Sequence, residues 1–284
     1  MIEIKSLKTV GYDELFEAFS AAFADYELQL SYTQLRKMLD RRGYLPELSF
    51  GAFDDNALIS FTCNGTGIYN NKKTAYDTGT GTVKSYRGQK LAGSIFQHSL
   101  PYLREAGITQ YLLEVLKHNP AAISVYTKQG FEVTREFSYF IEPLENILID
   151  KLLKNNEIKI IDGGIDDILP LSDWCDFEPS WQNSFASIER QPGSFVIKIA
   201  IHDEIPVGYC VFEPCSGDIT QIAVDRNFRR RGAGSALLAE ALKICSANEI
   251  KLINTDNHQP GIGCWAEYAG LKRKGEQYEM ILQL

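Results

Sequence analysis

Apolar residues in the first half of the chain recur first at helical spacing and then in short alternating runs. Leu15, Phe16, Phe19, Ala22 and Phe23 fall on one face of a helix, and Leu35 to Leu39 begins a second. Ser49 to Phe53 and Ala57 to Cys63 flank the turn sequence Asp54-Asp55-Asn56 and predict a hairpin. Thr74 to Val83 follows as a third strand. A helix is predicted from Gln89 to Glu105, kinked or shortened by Pro101. A strand at Gln110 to Leu116, a short helix at Ala121 to Gln129 and a strand at Phe131 to Ile141 close the half.

The same order then returns. A strand at Ile158 to Ile161 precedes a Trp-rich helical region reaching Ile188. Hairpin strands at Phe195 to Ile201 and Val207 to Phe212 flank His202-Asp203-Glu204, and a strand at Ile219 to Val224 follows. Ala233 to Ala247 is an amphipathic helix carrying Leu237, Leu238, Ala241, Leu242 and Cys245 on one face. Ile250 to Thr255, Gly261 to Ala269 and Leu271 to Leu284 complete the repeat. Pro120 and Gly130 align with Pro260 and Gly270 at one spacing, and Arg87 aligns with Arg229 at a slightly longer one. The pattern divides the chain into residues 1–143, a polar linker at 144–156 and residues 157–284, two copies of one α/β (α+β) fold with a mixed sheet.

Composition narrows the partners. The 284 residues suit two domains, and 44% hydrophobic with 23% charged residues describes an ordinary globular chain. A net charge of −8 without a long basic stripe argues against nucleic acid. No apolar run reaches the length of a membrane span, and Met1 to Val10 lacks the apolar core of a signal peptide, so a cytoplasmic protein is expected. The six cysteines show no paired motif and no His at zinc-ligand spacing, which predicts small packed thiols and no metal.

The sharpest chemistry lies where a strand gives way to a helix, at Arg229-Arg230-Arg231-Gly232-Ala233-Gly234-Ser235. Glycine there admits close backbone approach, and the unpaired amides of a first helical turn suit an anion such as a pyrophosphate. Arg87-Gly88-Gln89-Lys90-Leu91-Ala92 occupies the same place in the first half, with Lys90 where the motif has glycine. Such helix starts also occur as plain structural turns; two in matching contexts point to a ligand.

These R-x-x-G-x-G/A loops resemble those of the GNAT superfamily of N-acetyltransferases, which sit between a strand and a helix. The segment Asn119-Pro120-Ala121-Ala122 followed by Tyr126-Thr127-Lys128-Gln129-Gly130-Phe131 is similar to that family's second signature. The resemblance covers most of both halves and implies two tandem acyl-CoA N-acyltransferase folds, each a mixed, mostly antiparallel sheet flanked by helices. It implies acetyl-CoA as cosubstrate, held by the two loops, by Thr82 and Val83 in one half and Ile222, Ala223 and Val224 in the other, and by Asn119.

Carried over from the family, Tyr126 protonates the departing thiolate and the strand amide near Val83 polarises the thioester carbonyl. Alone, Ala122 and Tyr126 at helical spacing would equally face a core. Asp77 is the candidate general base, although an Asp beside Thr and Gly is also an ordinary strand-edge residue. The second half aligns Gln259 with Asn119 and Ala266 with Tyr126, so it lacks the hydroxyl, and the first half is the better-equipped catalyst. Acceptor contacts are expected at Phe23, Asp25, Tyr26 and Glu27 in one half and Trp174, Glu178 and Trp181 in the other, where aromatics also serve as core. The expected reaction is direct acetyl transfer to a primary amine of a small molecule or peptide; the competing reading is an acyl-CoA-binding sensor or scaffold.

Overall fold

The computed structural model describes residues 1–25, 29–147 and 157–284. It divides into two compact units that do not follow chain order: unit 1 holds Met1–Val115, Asn119–Thr134 and Glu279–Leu284, and unit 2 holds Leu116–His118 and Arg135–Tyr278. Residues 148–156 of the expected linker, together with Tyr26 and Glu27, lie outside the described residues.

In unit 1, β1 (Ile2–Ser6), β2 (Phe50–Asp54), β3 (Ala57–Tyr69), β4 (Lys72–Thr82) and β5 (Gln110–Leu116) lie side by side in that order. Strand β1 is absent from the sequence expectation; its alternating Ile2, Ile4 and Ser6 pair antiparallel with β2. Strand β3 is longer than its apolar run implies. It continues to Tyr69 because Asn70 and Asn71 take φ of 49° and 59°, the left-handed pair of a tight hairpin turn that Asn tolerates.

Helix α1 (Tyr12–Ala22) and helix α2 (Tyr32–Arg41) cover one face of this sheet. Helix α2 starts on a capping box in which Ser31 and Gln34 exchange hydrogen bonds. Leu15, Phe19, Leu35 and Leu39 pack there with Phe53, Phe61 and Cys63. Helix α3 (Leu91–Glu105) buries Leu91 and Ile95 on Phe50, Ala52 and Ile59. It runs through Pro101 to Glu105, so Pro101 does not shorten it. Helix α4 (Pro120–Lys128) opens with Pro at its first position and Asn119 as cap, whose side chain accepts from the Ala122 amide at 3.1 Å.

Unit 2 is built on β7 (Lys159–Gly163), β8 (Val196–His202), β9 (Ile205–Glu213), β10 (Asp218–Val224) and β11 (Glu249–Asp256), adjacent in that order. The expected helical region before β8 is broken into short pieces, α5 (Ile165–Ile168), 3-10 turns at Leu169–Trp174 and Trp181–Asn183, and α6 (Phe185–Arg190). Helix α7 (Ala233–Lys243) supplies Leu237, Leu238 and Leu242 to one core, and α8 (Pro260–Tyr268) adds the buried Ala266.

Two strands are shared out. In β6 (Glu132–Pro143) the residues from Arg135 onward belong to unit 2, where Phe137 to Pro143 pair antiparallel with β11. In β12 (Lys272–Gln283) the stretch up to Tyr278 belongs to unit 2 and the final residues to unit 1. There Glu279 is buried, its carboxylate accepting from the Tyr69 hydroxyl at 3.1 Å and from the Thr134 hydroxyl at 2.8 Å. Among the described residues no helix is long and apolar enough to cross a membrane.

Candidate functional site

In unit 1 the parallel strands β4 and β5 pair at Thr74–Gln110, Ala75–Tyr111 and Tyr76–Leu112 and then part. A β-bulge at the parting leaves Thr78 as the extra residue between the pairs Cys63–Gly79 and Asn64–Asp77. The bulge resets the alternation, so Asp77 and Thr80 share a face, and the Thr80 hydroxyl donates to Asp77 Oδ2 at 2.8 Å. Both residues line a cavity of about 190 Å³ whose other walls include Ala92 and Gly93 of α3, Tyr126 of α4, and Phe131.

Asp77 Oδ1 is buried there without a hydrogen-bond partner. Burial pushes the Asp77 carboxyl up to about 6, held back from going further by the Thr80 and Gly79 hydrogen bonds and by the charge of Arg42. Tyr126 sits edge-on to Phe131, ring centroids 5.6 Å apart. The two residues expected to do chemistry therefore meet in one cavity.

A carbonyl contact is expected from a strand amide near Val83. Val83 N–H donates to Ile59 O at 2.9 Å and is occupied within the sheet. Successive strand amides point to opposite edges, so it is the Thr82 amide that faces the open side toward β5.

The two glycine loops have one backbone course. Left-handed φ values occur at Gly88 (80°) and Lys90 (61°) in unit 1 and at Arg230 (64°) and Gly232 (93°) in unit 2. Each loop thus places its glycine at a different one of two left-handed positions and forces a long basic side chain into the other, at about 1 kcal/mol. Lys90 and Gly232 precede α3 and α7 with no side-chain cap, leaving first-turn amides at Leu91 and Ala92, and at Ala233, Gly234 and Ser235, without helical partners. Gln89, Lys90, Arg230 and Arg231 are exposed beside them.

A cleft of about 420 Å³ opens in front of the unit 2 loop, walled by Ile222 to Val224, Phe228, the α7 start, Trp265 and Tyr268. It has the size of a small-molecule site. The strands behind it, β10 and β11, pair in parallel at Asp218–Lys251 and then part as β4 and β5 do.

Two strand–loop–helix sites of this kind, each at a split in a parallel strand pair, agree with the comparison to known families: the model described as the acetyltransferase (GNAT) family matches residues 12–131 and 166–270. The chain belongs to that family. Among curated proteins it is similar to N-alpha-acetyltransferase 30 of Schizosaccharomyces pombe, 32% identical over 98 residues, which is 34% of this chain and 65% of that protein, just under two thirds of its length. Among solved structures it is similar to a tandem GNAT protein from the clavulanic acid biosynthesis pathway, at TM-score 0.74 and 13% identity over 100% of this chain and 98% of that one. A GCN5-related N-acetyltransferase from Sphaerobacter thermophilus follows at TM-score 0.72 and 13% identity, covering 99% and 95%. At such identities the solved structures show the fold, which is the tandem GNAT fold.

Within this GNAT chain several expected site residues have other work. Arg87 and Arg229 are bonded to neighbouring carbonyls and carboxylates of their own units. Asp25, expected at the acceptor, pairs with Lys84 at 3.2 Å and Arg87 at 3.1 Å. Phe23 packs on Phe19 at 4.5 Å, and Trp181 is fully buried, so both are core. Glu178 offers its carbonyl to Arg135 at 2.6 Å, and Trp174 lines the unit 2 cleft. Sequence reasoning misses Thr80 and Arg42, which hold the Asp77 carboxyl below where burial alone would push it. Arg42 lies just past α2 and donates to Thr78 O at 3.0 Å, a contact across 36 positions that no local spacing announces.

Proposed function

We propose that the chain is an acetyl-CoA-dependent N-acetyltransferase whose chemistry takes place in unit 1. One observation carries this reading: Asp77, with a buried unpartnered oxygen and a carboxyl raised to about 6, faces the same cavity as Tyr126 at the open end of the β4–β5 pair. A neutral primary amine bound there attacks the thioester carbon as Asp77 takes up the one proton its nitrogen sheds, while the Thr82 amide holds the carbonyl oxygen as it becomes negative. Collapse expels the CoA thiolate, and the Tyr126 hydroxyl returns a proton to sulfur. Acetyl-CoA supplies the acyl group and lies with its pyrophosphate against the amides at the start of α3.

Tyr126→Phe tests the assignment. Acetyl-CoA-dependent thiol release in the presence of an amine should fall about 100-fold while acetyl-CoA affinity stays within about twofold. Unchanged release would remove Tyr126 from the mechanism.

Unit 2 lacks both groups. By the repeat, Ala266 stands for Tyr126 and Ile219 for Asp77, both fully buried and apolar. Its wider cleft and stronger glycine loop support the reading that it holds CoA without turning it over. The chain's three tryptophans, Trp174, Trp181 and Trp265, all lie in unit 2, and Trp174 and Trp265 line the cleft. Coenzyme A should therefore change the intrinsic tryptophan fluorescence saturably. A Cβ on Gly234 would sit 3.1 Å from Trp265 Nε1, so Gly234→Leu should close the cleft and abolish the change while acetyl transfer persists. Loss of transfer in that variant would place chemistry in unit 2.

A further inference from the structure

The first arginine of each glycine loop makes one set of three contacts, twice. In unit 1, Arg87 Nε donates to Thr82 O at 3.2 Å, one terminal nitrogen to Asp25 at 3.1 Å and the other to Ala22 O at 2.7 Å. In unit 2, Arg229 Nε donates to Val224 O at 3.1 Å, one terminal nitrogen to Asp176 at 2.7 Å and the other to Trp174 O at 3.3 Å. Each guanidinium thus ties the end of the strand before the loop to the segment that ends the unit's first helical stretch.

The segments supplying the carboxylate are unlike. Asp25 follows the eleven-residue α-helix α1, whereas Asp176 follows a 3-10 turn. The same three-way contact has been assembled from different local structures, which is the arrangement of a joint rather than an accident of one fold region. A planar fork with five N–H donors suits three fixed directions; a lysine ammonium does not.

The contact joins two sides of the unit 1 site. Helix α3 and the cavity with Asp77 and Thr80 lie on one face of β4. Helix α1 lies against the other: a Cβ on Gly79 would meet Phe19 at 3.1 Å, and one on Gly81 would meet Ala22 at 2.9 Å and Phe23 at 3.1 Å. The end of α1 therefore backs directly onto the strand that carries Asp77 and Thr80.

We propose that Arg87 and Asp25 form a latch that links occupancy of the CoA loop to the position of the last turn of α1, with Arg87 a positioning residue for the end of β4 and α1 rather than a phosphate ligand. This rests on the reading that CoA lies on the α3 loop. Asp25 is held below the usual carboxylate range by hydrogen bonds from Lys84 and Arg87, so the pair is charged at neutral pH. The matching latch in unit 2 is Arg229 with Asp176.

Coenzyme A itself is the probe, titrated calorimetrically into the full chain carrying Gly234→Leu so that only the unit 1 loop responds. Hydrogen–deuterium exchange is followed at Phe19 to Phe23. With Arg87 and Asp25 intact, CoA should slow exchange there about tenfold. Arg87→Lys and Asp25→Asn should keep CoA affinity within about threefold and both lose the slowing, and Asp25→Glu should restore part of it. A tenfold loss of CoA affinity in Arg87→Lys with Asp25→Asn unaffected would make Arg87 a phosphate ligand and overturn the latch. Slowing that survives in both variants would overturn it as well, whereas absence of CoA binding with intact Arg87 and Asp25 would instead remove the cofactor reading beneath it.

Discussion

Asp77→Asn should cost 100-fold to 10,000-fold in acetyl transfer and at the same time make the protein more stable at pH 7. The carboxyl is raised from 3.8 to about 6, chiefly by burial. Between those values the folded chain binds a proton that the unfolded chain has released, so stability falls as pH rises through that window. Above about 6 the loss is complete and amounts to about 2–3 kcal/mol at most. Asn keeps the shape and a group for the Thr80 hydroxyl to donate to, and carries no charge to desolvate. Thermal melts should therefore show the Asp77→Asn variant gaining stability at pH 7 and gaining none at pH 4. For the natural chain kcat/KM should rise with pH through about 6 as Asp77 ionises, and that limb should disappear in the variant. Full activity in Asp77→Asn would dismiss the base.

Deleting Glu279–Leu284 should unfold unit 1 while sparing unit 2. These six residues are assigned to unit 1. Their loss removes the buried Glu279 that accepts from the Tyr69 hydroxyl, removes the fully buried Met280, and strips the bonds from Lys72 to Gln283 and from the Leu284 amide to Thr109 O. A buried Met side chain and a buried hydrogen bond to a carboxylate are together worth about 3–6 kcal/mol, a large share of a domain's roughly 5–15. Limited proteolysis should cut the truncated chain within residues 1–115 and leave a fragment containing Trp174, Trp181 and Trp265 with native fluorescence. A single unchanged melting transition would refute the assignment.

Local signals carried most of the architecture. The helices at Tyr12–Ala22 and Ala233–Lys243 follow from spacing, and the loops at Arg87 and Arg229 from glycine beside a strand end. Pro101 does not shorten α3 because a helix buried along Ile95, Ser99 and Leu103 is held by packing that outweighs one missing hydrogen bond. The exchange of strands leaves no trace in the sequence, because an apolar pattern says which face of a strand is buried, not which neighbour is paired. Tyr126 and Asp77 are visible as residue types in a familiar pattern. What tunes them is not, since Thr80 acts through a bulge and Arg42 across the fold, and the clamps on Arg87 and Arg229 depend on carboxylates whose positions in the repeat do not correspond.

The division of β12 has a bearing on how the protein is made. A ribosome delivers residues 1–134 early, yet unit 1 is finished only by Glu279–Leu284, which follow the whole of unit 2 out of the exit tunnel. The proposed catalytic half must wait, incomplete, until unit 2 has been synthesised. A nascent chain released before those six codons would carry every residue of the Asp77–Tyr126 cavity and still lack the strand that completes the unit around it, so activity itself certifies that translation passed beyond unit 2.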